Sequence, residues 1–586
     1  MGGRGQPSRS TSRMNQPQDS AHALAQSAAS PAATPPVRVR TAASVIVLRD
    51  APQGPEVLLL RRADRPGDQN SGAAVFPGGL LDAADRGHYA RCCGLDDHTA
   101  SQRLGLPEHG LHHWVAAVRE CFEEAGLLFA IDSNGAPVDL RPWPAADLLA
   151  MRYALHAGQM GLDEVCARLG VRLALDELAY HSHWVTPLGM PKIFDTRFFI
   201  ASAPPNQQAV HDETETVELL WLTPAQALER ARGLKLLNVT QRTLQHLAGF
   251  SSAGQAIDAA RAAKAVPMIR PRLAQRNGER VVINPGEPAF AEIGRLDREG
   301  QGGSLAALQP GTPVWLSPRV LRLTADNGSL ITGPGTNSYF IGAPGRNEWA
   351  LLDAGPADAV HLQALRDNAP GPVTRLLVTH THKDHSPAVF ALREHFGART
   401  FGRVADHAEW QDPSFVPDHV LADGERLHIG QGTTLQVIHT PGHASNHLCY
   451  LLEEEKLLFT GDHLMQGSTV VINPPDGDMA HYLASLERLL EVDLEWLAPG
   501  HGFLIDQPHA AIRATLAHRR AREAQVLADV RQHGPDLEAA MVERVYASTD
   551  RRLHGVALRS LRAHLLKLQQ EGWVGQLADG RWRPRG

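Results

Sequence analysis

The chain has 586 residues, with 57 Lys and Arg against 64 Asp and Glu for a formal net charge of -7. That length exceeds one ordinary core, so two or three domains are expected, and the small charge imbalance excludes a protein that is basic overall and leaves any polyanion-binding surface local. Five cysteines, Cys92, Cys93, Cys121, Cys166 and Cys449, form no CxxC pair and are odd in number, which points to a reducing, cytoplasmic compartment rather than a disulfide scaffold. No stretch approaches the roughly eighteen apolar residues of a membrane helix, and no secretory signal opens the chain, so no membrane partner is expected.

In chain order, residues 1–38 are Ser, Ala, Pro and Gln with scattered Arg4, Arg9 and Arg13, a composition expected to stay disordered because it cannot bury enough apolar area. Residues 39–250 read as an α/β domain. ASVIVL and EVLLL have strand character, HHWVAAVRECFEEAGLLFA has a helical period, and strand-like HWVTP, DTRFFIA and ELLWL follow, with helical ALERARGLK and TQRTLQHLAG behind them. Residues 251–310 mix Pro, Gly and charge with weak periodicity, as a linker or irregular extension would. Residues 311–510 alternate strands and helices around His-rich loops. From residue 511 to 586 three helical runs, HRRAREAQVLADV, DLEAAMVERVYAS and GVALRSLRAHLLKLQQEG, precede a hairpin of WVGQL and RWRPR, and Leu558, Leu561, Leu565 and Leu568 fall on one helix face. The whole is an α/β multi-domain chain ending in a winged-helix pattern.

The apolar strand RLLVT ends in His380-Thr381-His382-Lys383-Asp384-His385 before a helix near Pro387, and an apolar strand that stops at imidazoles and a carboxylate presents them at a sheet edge, where rigid backbone can hold metal. His443 in HTPGHAS, Asp462 in FTGDH and His501 in APGHG each end another strand-like run. In this order the motifs resemble those of the metallo-β-lactamase superfamily over residues 311–510. The resemblance implies an αβ/βα sandwich with two Zn²⁺ ions at the sheet edge. His380, His382 and His443 would form the first ligand set and Asp384, His385 and His501 the second, with Asp462 bridging and Asp384 taking a catalytic part. Two adjacent cations bring a shared water's pKa toward neutrality, which provides a nucleophile. Asp353 in LLDAG matches an aspartate that orients ligands, and His447 is placed against substrate.

The flanking segments and the tail look like the lactamase-β-2 branch, whose animal members are endoribonucleases, although Ser445-Asn446 stands where that branch commonly carries acidic residues. Arg559, Arg562, His564, Lys567, Arg581 and Arg583 either offer phosphate contacts to single-stranded RNA or are solvated charges on a small bundle.

In the N-terminal domain Glu120, Glu123 and Glu124 share one helix face, and like charges so close suit a hard divalent cation, Mg²⁺ or Mn²⁺. Arg119 to Leu127 match the REUxEExGU half of the Nudix box, and Phe76-Pro77-Gly78-Gly79 supplies its glycine turn about forty residues upstream, with Asp85 where the family has its first glutamate. The interrupted box and LLLRRADRPGDQNSGAAVFPGG resemble the Nudix branch of the coenzyme A diphosphatases. That resemblance implies an α/β/α sandwich that hydrolyses a CoA-like or nucleoside diphosphate, with Glu120 catalytic and Glu123 and Glu124 beside it at the metal. Glu213 or Glu215 would add a base or ligand, and Arg61, Arg62 and Arg65 would lie at the phosphates. The expectation is therefore a bifunctional hydrolase whose C-terminal site cleaves RNA or, alternatively, a thioester or lactone as in glyoxalase-II-like enzymes, with the Nudix unit then acting as a binding module.

Overall fold

The structure is a computed structural model, described for residues 38–66, 70–212, 216–343, 345, 348–467 and 469–585. The expected disordered tail, apart from Arg38, and Glu213 and Glu215 lie outside the described residues.

Strand β1 (Val39–Ala51) alternates its buried side chains between two layers. Ala43, Val45 and Val47 pack with helix α1 (Leu111–Ala125) through Trp114, Val118 and Phe122. Ile46 and Leu48 face the other way, onto Leu244, Leu247 and Ile257. A strand apolar on both faces needs a helical layer on each, and this is the α/β/α sandwich expected of the segment. β1 runs parallel to Ile193–Ser202 and antiparallel to Gly54–Arg62, and its start also pairs with Gly78–Leu80. α1 stops at Gly126, whose φ of 69° is left-handed backbone that suits glycine.

The 251–310 segment is not the weakly structured connection that its composition suggested. Helix α2 (Ala253–Ala262) buries Ala253, Ala256 and Ile257 in the second layer of the N-terminal sheet, and strand β2 (Met268–Ile269) pairs with His183 and Trp184 at its edge. Directly after it, β3 (Arg272–Arg276) forms a hairpin with Glu279–Ile283, and helix α3 (Phe290–Leu296) joins Ala274, Ile283 and Ala306 against Phe503. Glu292 of α3 makes a buried two-pronged pair with Arg322, at 2.7 and 2.8 Å, and also accepts from the Leu504 amide at 2.9 Å. The elements are short, so periodicity could not reveal them; pairing with distant strands orders them.

The C-terminal half is a sandwich of a seven-stranded and a six-stranded sheet, each with its strands side by side in chain order. The facing sides meet through Tyr339, Ile341, Leu352 and Leu377 from the first and Leu435, Val437, Tyr450 and Phe459 from the second. Helices cover both outer faces, Ala359–Asp367 with Ala388–Phe396 on one side and Met479–Leu489 on the other. In the winged-helix unit, α4 (Pro508–His533), α5 (Glu538–Val545), α6 (His554–Gln570) and the hairpin Val574–Gln576 with Trp582–Pro584 enclose Leu561, Leu565 and Leu568, and Leu558 packs half-buried beside them. α4 ties the units together, since Ile512 and Leu516 pack on the sandwich while Val526 and Val530 pack in the winged helix.

Removing Arg322 would strand a buried carboxylate, which typically costs about 3–5 kcal/mol. Arg322→Ala should therefore lower the stability of the C-terminal unit by that order in urea unfolding followed by tryptophan fluorescence, and a change under about 1 kcal/mol would mean that α3 does not fasten the segment to the sandwich.

Candidate active sites

The metal-type residues are delivered by strands that end at one edge. Strands Trp349–Leu352 and Val373–Leu377 are parallel neighbours of the first sheet, followed by Asp353 and by His380 onward. Strands Leu457–Gly461 and Trp496–Pro499 are parallel neighbours of the second, followed by Asp462 and His501. Two glycines let the loops close. A Cβ on Gly461, at φ 46°, would sit 2.6 Å from Thr379 Oγ1, and one on Gly500 would sit 2.8 Å from Asp462 Oδ1.

Two groups of side chains result, His380, His382 and His443 in one and Asp384, His385, Asp462 and His501 in the other, each with its donor atoms within 4.8 Å of one another. In the first, His382 Nδ1 faces His380 Nε2 at 2.9 Å and His443 Nε2 at 3.0 Å. Asp462 stands between the groups, with Oδ2 3.7 Å from His443 Nε2 and Oδ1 3.2 Å from His501 Nε2 and 3.4 Å from His385 Nε2. Asp384 Oδ2 lies 3.4 Å from His501 Nε2.

Outer contacts fix most of these rings. Val471 O lies 2.7 Å from His443 Nδ1 and Gly335 O lies 3.1 Å from His501 Nδ1, so each Nδ1 donates outward and each Nε2 points inward. Asp353 accepts from the Thr379 amide at 2.7 Å and from its hydroxyl at 2.8 Å, and lies 3.0 Å from His385 Nδ1. It does so at φ 49°, a conformation a non-glycine residue adopts only where its contacts hold it.

Burial, reinforced by the neighbouring rings, holds His380 well below the usual imidazole range, and burial with the His443 ring takes His382 down to about 3. His501 goes the other way, to about 9, because Asp462 and Asp384 outweigh its burial. Asp384 is held at about 2 by His385 and His501 against the pull of burial. One group thus consists of neutral imidazoles and the other is a mixed imidazole and carboxylate set. His385 Nε2, His501 Nε2 and Asp462 Oδ1 are buried without a hydrogen-bond partner, a loss of about 1–3 kcal/mol each that a divalent cation among them would offset. The nitrogen and oxygen donor set fits such an ion.

Several sequence expectations need correction or completion. His447 does not face substrate: it is wholly buried behind the ligands, 2.9 Å from Thr440 Oγ1, and its Nε2 accepts from the Asp462 amide at 3.2 Å. Its role is to seat Asp462. Gln411 and Asp476 carry no local signal in the sequence. Asp476 accepts from Ser445 Oγ at 2.6 Å and from Gln411 Nε2 at 3.0 Å, while Gln411 and Asn446 both bond Thr381 Oγ1. The carboxylate missing beside His443 is thus supplied by the distant NPPDGD segment.

In the N-terminal domain Arg119 organises the cluster. It bonds Asp85 at 2.7 Å, Glu120 at 2.9 Å and Glu123 at 3.0 Å. Asp85 is fully buried and meets the glutamate helix through this guanidinium and through His112, whose Nε2 lies 3.8 Å from Asp85 Oδ2. Glu124 instead accepts from the Gly78 amide at 2.9 Å, and a Cβ on Gly79 would lie 2.5 Å from the Glu120 carboxylate, so the glycine turn and the glutamate helix do meet across the interruption. Burial pushes Glu120 up to about 7 despite Arg119. The three glutamates offer oxygen donors of the kind a hard cation takes, but they are not gathered into one ligand-sized group here: Arg119 holds Glu120 and Glu123, and Gly78 holds Glu124. Arg61 pairs with Glu218 at 2.8 Å, and Arg62 ends the same strand, half-buried.

The basic residues of the winged helix are largely engaged. His564 is wholly buried against Glu523, Lys567 bonds Glu523 and Glu571, and Arg581 pairs with Asp579. Arg559 lies 4.9 Å over the ring of Trp410 in the sandwich, and Arg583 is exposed.

Comparison with known proteins matches residues 95–237 to the NUDT19 Nudix domain, 331–501 to the metallo-beta-lactamase superfamily and 538–582 to the beta-lactamase associated winged helix domain. A Beta-lactamase-like protein 2 homolog of Drosophila melanogaster is 31% identical over 270 residues, 44% of this chain and 90% of that protein. An atrochrysone carboxyl ACP thioesterase of Claviceps purpurea is 29% identical over 225 residues, 36% of this chain and 65% of that protein. Among solved structures, a NUDIX hydrolase from Alicyclobacillus acidocaldarius is 28% identical, with a TM-score of 0.32, covering 38% of this chain and 96% of that one.

Asp353 touches no substrate position, so its removal isolates its effect on the ligands. Asp353→Ala should weaken divalent metal binding by about 10–100-fold in competition with a chromogenic chelator. Unchanged affinity would show that His385 needs no such support.

Proposed function

Because the chain belongs to the metallo-β-lactamase superfamily and carries a Nudix domain and the associated winged helix, we propose that it is a hydrolase with two independent metal sites, the C-terminal one cleaving an acyl thioester and the N-terminal one a CoA-like or nucleoside diphosphate. The observation that carries the thioester reading is the loop rooted at the C-terminal site. It meets His501 through Gly335 O and leaves Leu330 71% and Ile331 52% exposed, two apolar side chains that suit an acyl chain. The name of the fungal thioesterase relative is in keeping with this reading.

His380, His382 and His443 would hold one Zn²⁺ ion and Asp384, His385 and His501 the other, with Asp462 between them. Zinc supplies Lewis acidity toward a carbonyl oxygen and activates water. Asp384, the more exposed of the two carboxylates Asp384 and Asp462, stays ionised at neutral pH and would orient the attacking water by accepting a hydrogen bond from it. Gln411, Asp476 and Asn446 hold the His382 and His443 loops in place. In the Nudix site Mg²⁺ or Mn²⁺ would shield diphosphate charge, and Glu120, with its carboxyl raised to about 7, takes the proton of the attacking water.

A second reading for the C-terminal site, RNA phosphodiester cleavage, is favoured by the associated winged helix, whose Arg559 docks on Trp410 of the sandwich and whose Arg583 remains exposed. The engagement of His564, Lys567 and Arg581 within the unit weighs against it.

The test is a substrate panel of acyl thioesters, single-stranded RNA, lactones and CoA on the zinc- and magnesium-loaded protein, with His382→Ala and Glu123→Ala. Thioester turnover should fall at least about 100-fold in His382→Ala alone, and CoA cleavage by a similar factor in Glu123→Ala alone. RNA cut in preference to thioesters would overturn the first assignment, and CoA left intact would overturn the second.

A further inference from the structure

Where the chain crosses from the N-terminal sheet to the sandwich, the short run from β2 into β3 borders a cavity of about 440 Å³. Its walls come from both sides of the crossing. Leu188 belongs to the N-terminal domain, Arg270 and Pro271 form the crossing itself, and Arg272, Leu273, Ile293, Asp297 and Arg298 come from β3 and the α3 region. The domains meet at backbone level beside it: a Cβ on Gly189 would lie 1.9 Å from Gly300 O, and one on Gly300 would lie 2.6 Å from Leu188 Cβ.

The charge lining this cavity is unbalanced. Among the described residues none of Arg270, Arg272 and Arg298 forms an ion pair, whereas Arg119, Arg295 and Arg322 are all paired with carboxylates. Arg272 donates to Phe290 O and lies 4.0 Å over the Phe290 ring, both neutral partners, and its guanidinium rests on α3 at a place where a Cβ on Gly294 would meet Cζ at 2.0 Å. Asp506 acts on Arg272 through space without pairing with it. Arg270 Nε is buried and has no hydrogen-bond partner. The one carboxylate in the lining, Asp297, is already committed, with Oδ1 accepting from the Gln301 amide at 2.8 Å and Oδ2 from the Gly302 amide at 2.6 Å.

Three guanidinium groups, that of Arg298 reaching solvent, outnumber the single carboxylate of Asp297 around a space of ligand size and form a receptor for an anion, and planar guanidinium donors match phosphate oxygens in pairs. The remaining lining, Leu188, Pro271, Leu273 and Ile293, is aliphatic, so a ligand that fills the cavity carries an apolar or aromatic body beside its phosphate. We propose that this junction binds a nucleotide bearing a terminal phosphate monoester, and that its arginines meet the phosphate while the aliphatic wall meets the base. The site shares no residue with either candidate active site, and a ligand in it touches both domains.

Isothermal titration calorimetry of the full metal-loaded chain tests this with adenosine 3′,5′-bisphosphate, which has no diphosphate to cleave but is also the nucleotide fragment of CoA, so that the arginine variants rather than saturation alone locate its site, alongside adenosine and inorganic phosphate. The bisphosphate should bind saturably, adenosine should not, and affinity should fall at least about tenfold in Arg270→Ala/Arg298→Ala while Glu123→Ala and His382→Ala bind as the parent does. Circular dichroism melting of the double variant checks that it is folded, and Arg270→Lys/Arg298→Lys, which keeps the charge, should retain part of the affinity. No saturable binding, equal binding by the double alanine variant, or loss of binding in Glu123→Ala or His382→Ala would each overturn the proposal. Equal affinity for inorganic phosphate would overturn the nucleotide assignment.

Discussion

Three imidazole nitrogens, those of His380, His382 and His443, converge to within 2.9 and 3.0 Å, and beside them buried atoms of His385, His501 and Asp462 face one another without hydrogen-bond partners. Burial has removed the water that would otherwise meet these atoms. The arrangement needs something outside the cluster to fix the rings, and it offers its inward atoms to something positive at its centre. Much of the local sequence serves the first condition. Asp353 bends into left-handed backbone to hold Thr379 and His385, carbonyls of Val471 and Gly335 fix His443 and His501, and His447 seats Asp462 from behind.

The sandwich makes this convergence possible. Each sheet contributes a parallel strand pair whose ends open at the same edge, so residues far apart in sequence arrive together on rigid backbone. The N-terminal domain solves a related problem differently. Its acidic helix face is stabilised by a single guanidinium, Arg119, which links Asp85, Glu120 and Glu123, while the glycine turn fits closely against Glu120 and Glu124. Between the two domains the chain does not relax into a linker. It continues one sheet and then begins the packing of the next.

The residue-level legibility follows from this. The candidate metal ligands could be read because they follow apolar strand runs, His443, Asp462 and His501 each beside a glycine, and the resemblance to a known family sorted them into two sets. The glutamate helix was legible from the helical spacing of Glu120, Glu123 and Glu124, and the helices and hairpin of the winged helix from their periodicity. The function of His447 was not, because a histidine four residues past a ligand looks the same in sequence whether it faces solvent or the core. Gln411 and Asp476 act on ligand loops tens of residues away, and no local signal announces such a contact. The elements between 251 and 310 were hidden because, apart from the ten-residue helix α2, they are strands and a helix of two to seven residues, too short to show a period, and their partners, His183, Arg322 and Phe503, belong to other parts of the chain.

If the cluster at the sandwich edge holds two cations, zinc-edge anomalous diffraction from crystals grown with the ion will show two peaks, one among His380, His382 and His443 and one among Asp384, His385 and His501, with Asp462 between them. A single peak, or strong anomalous density away from both sets, would rule out a two-cation centre.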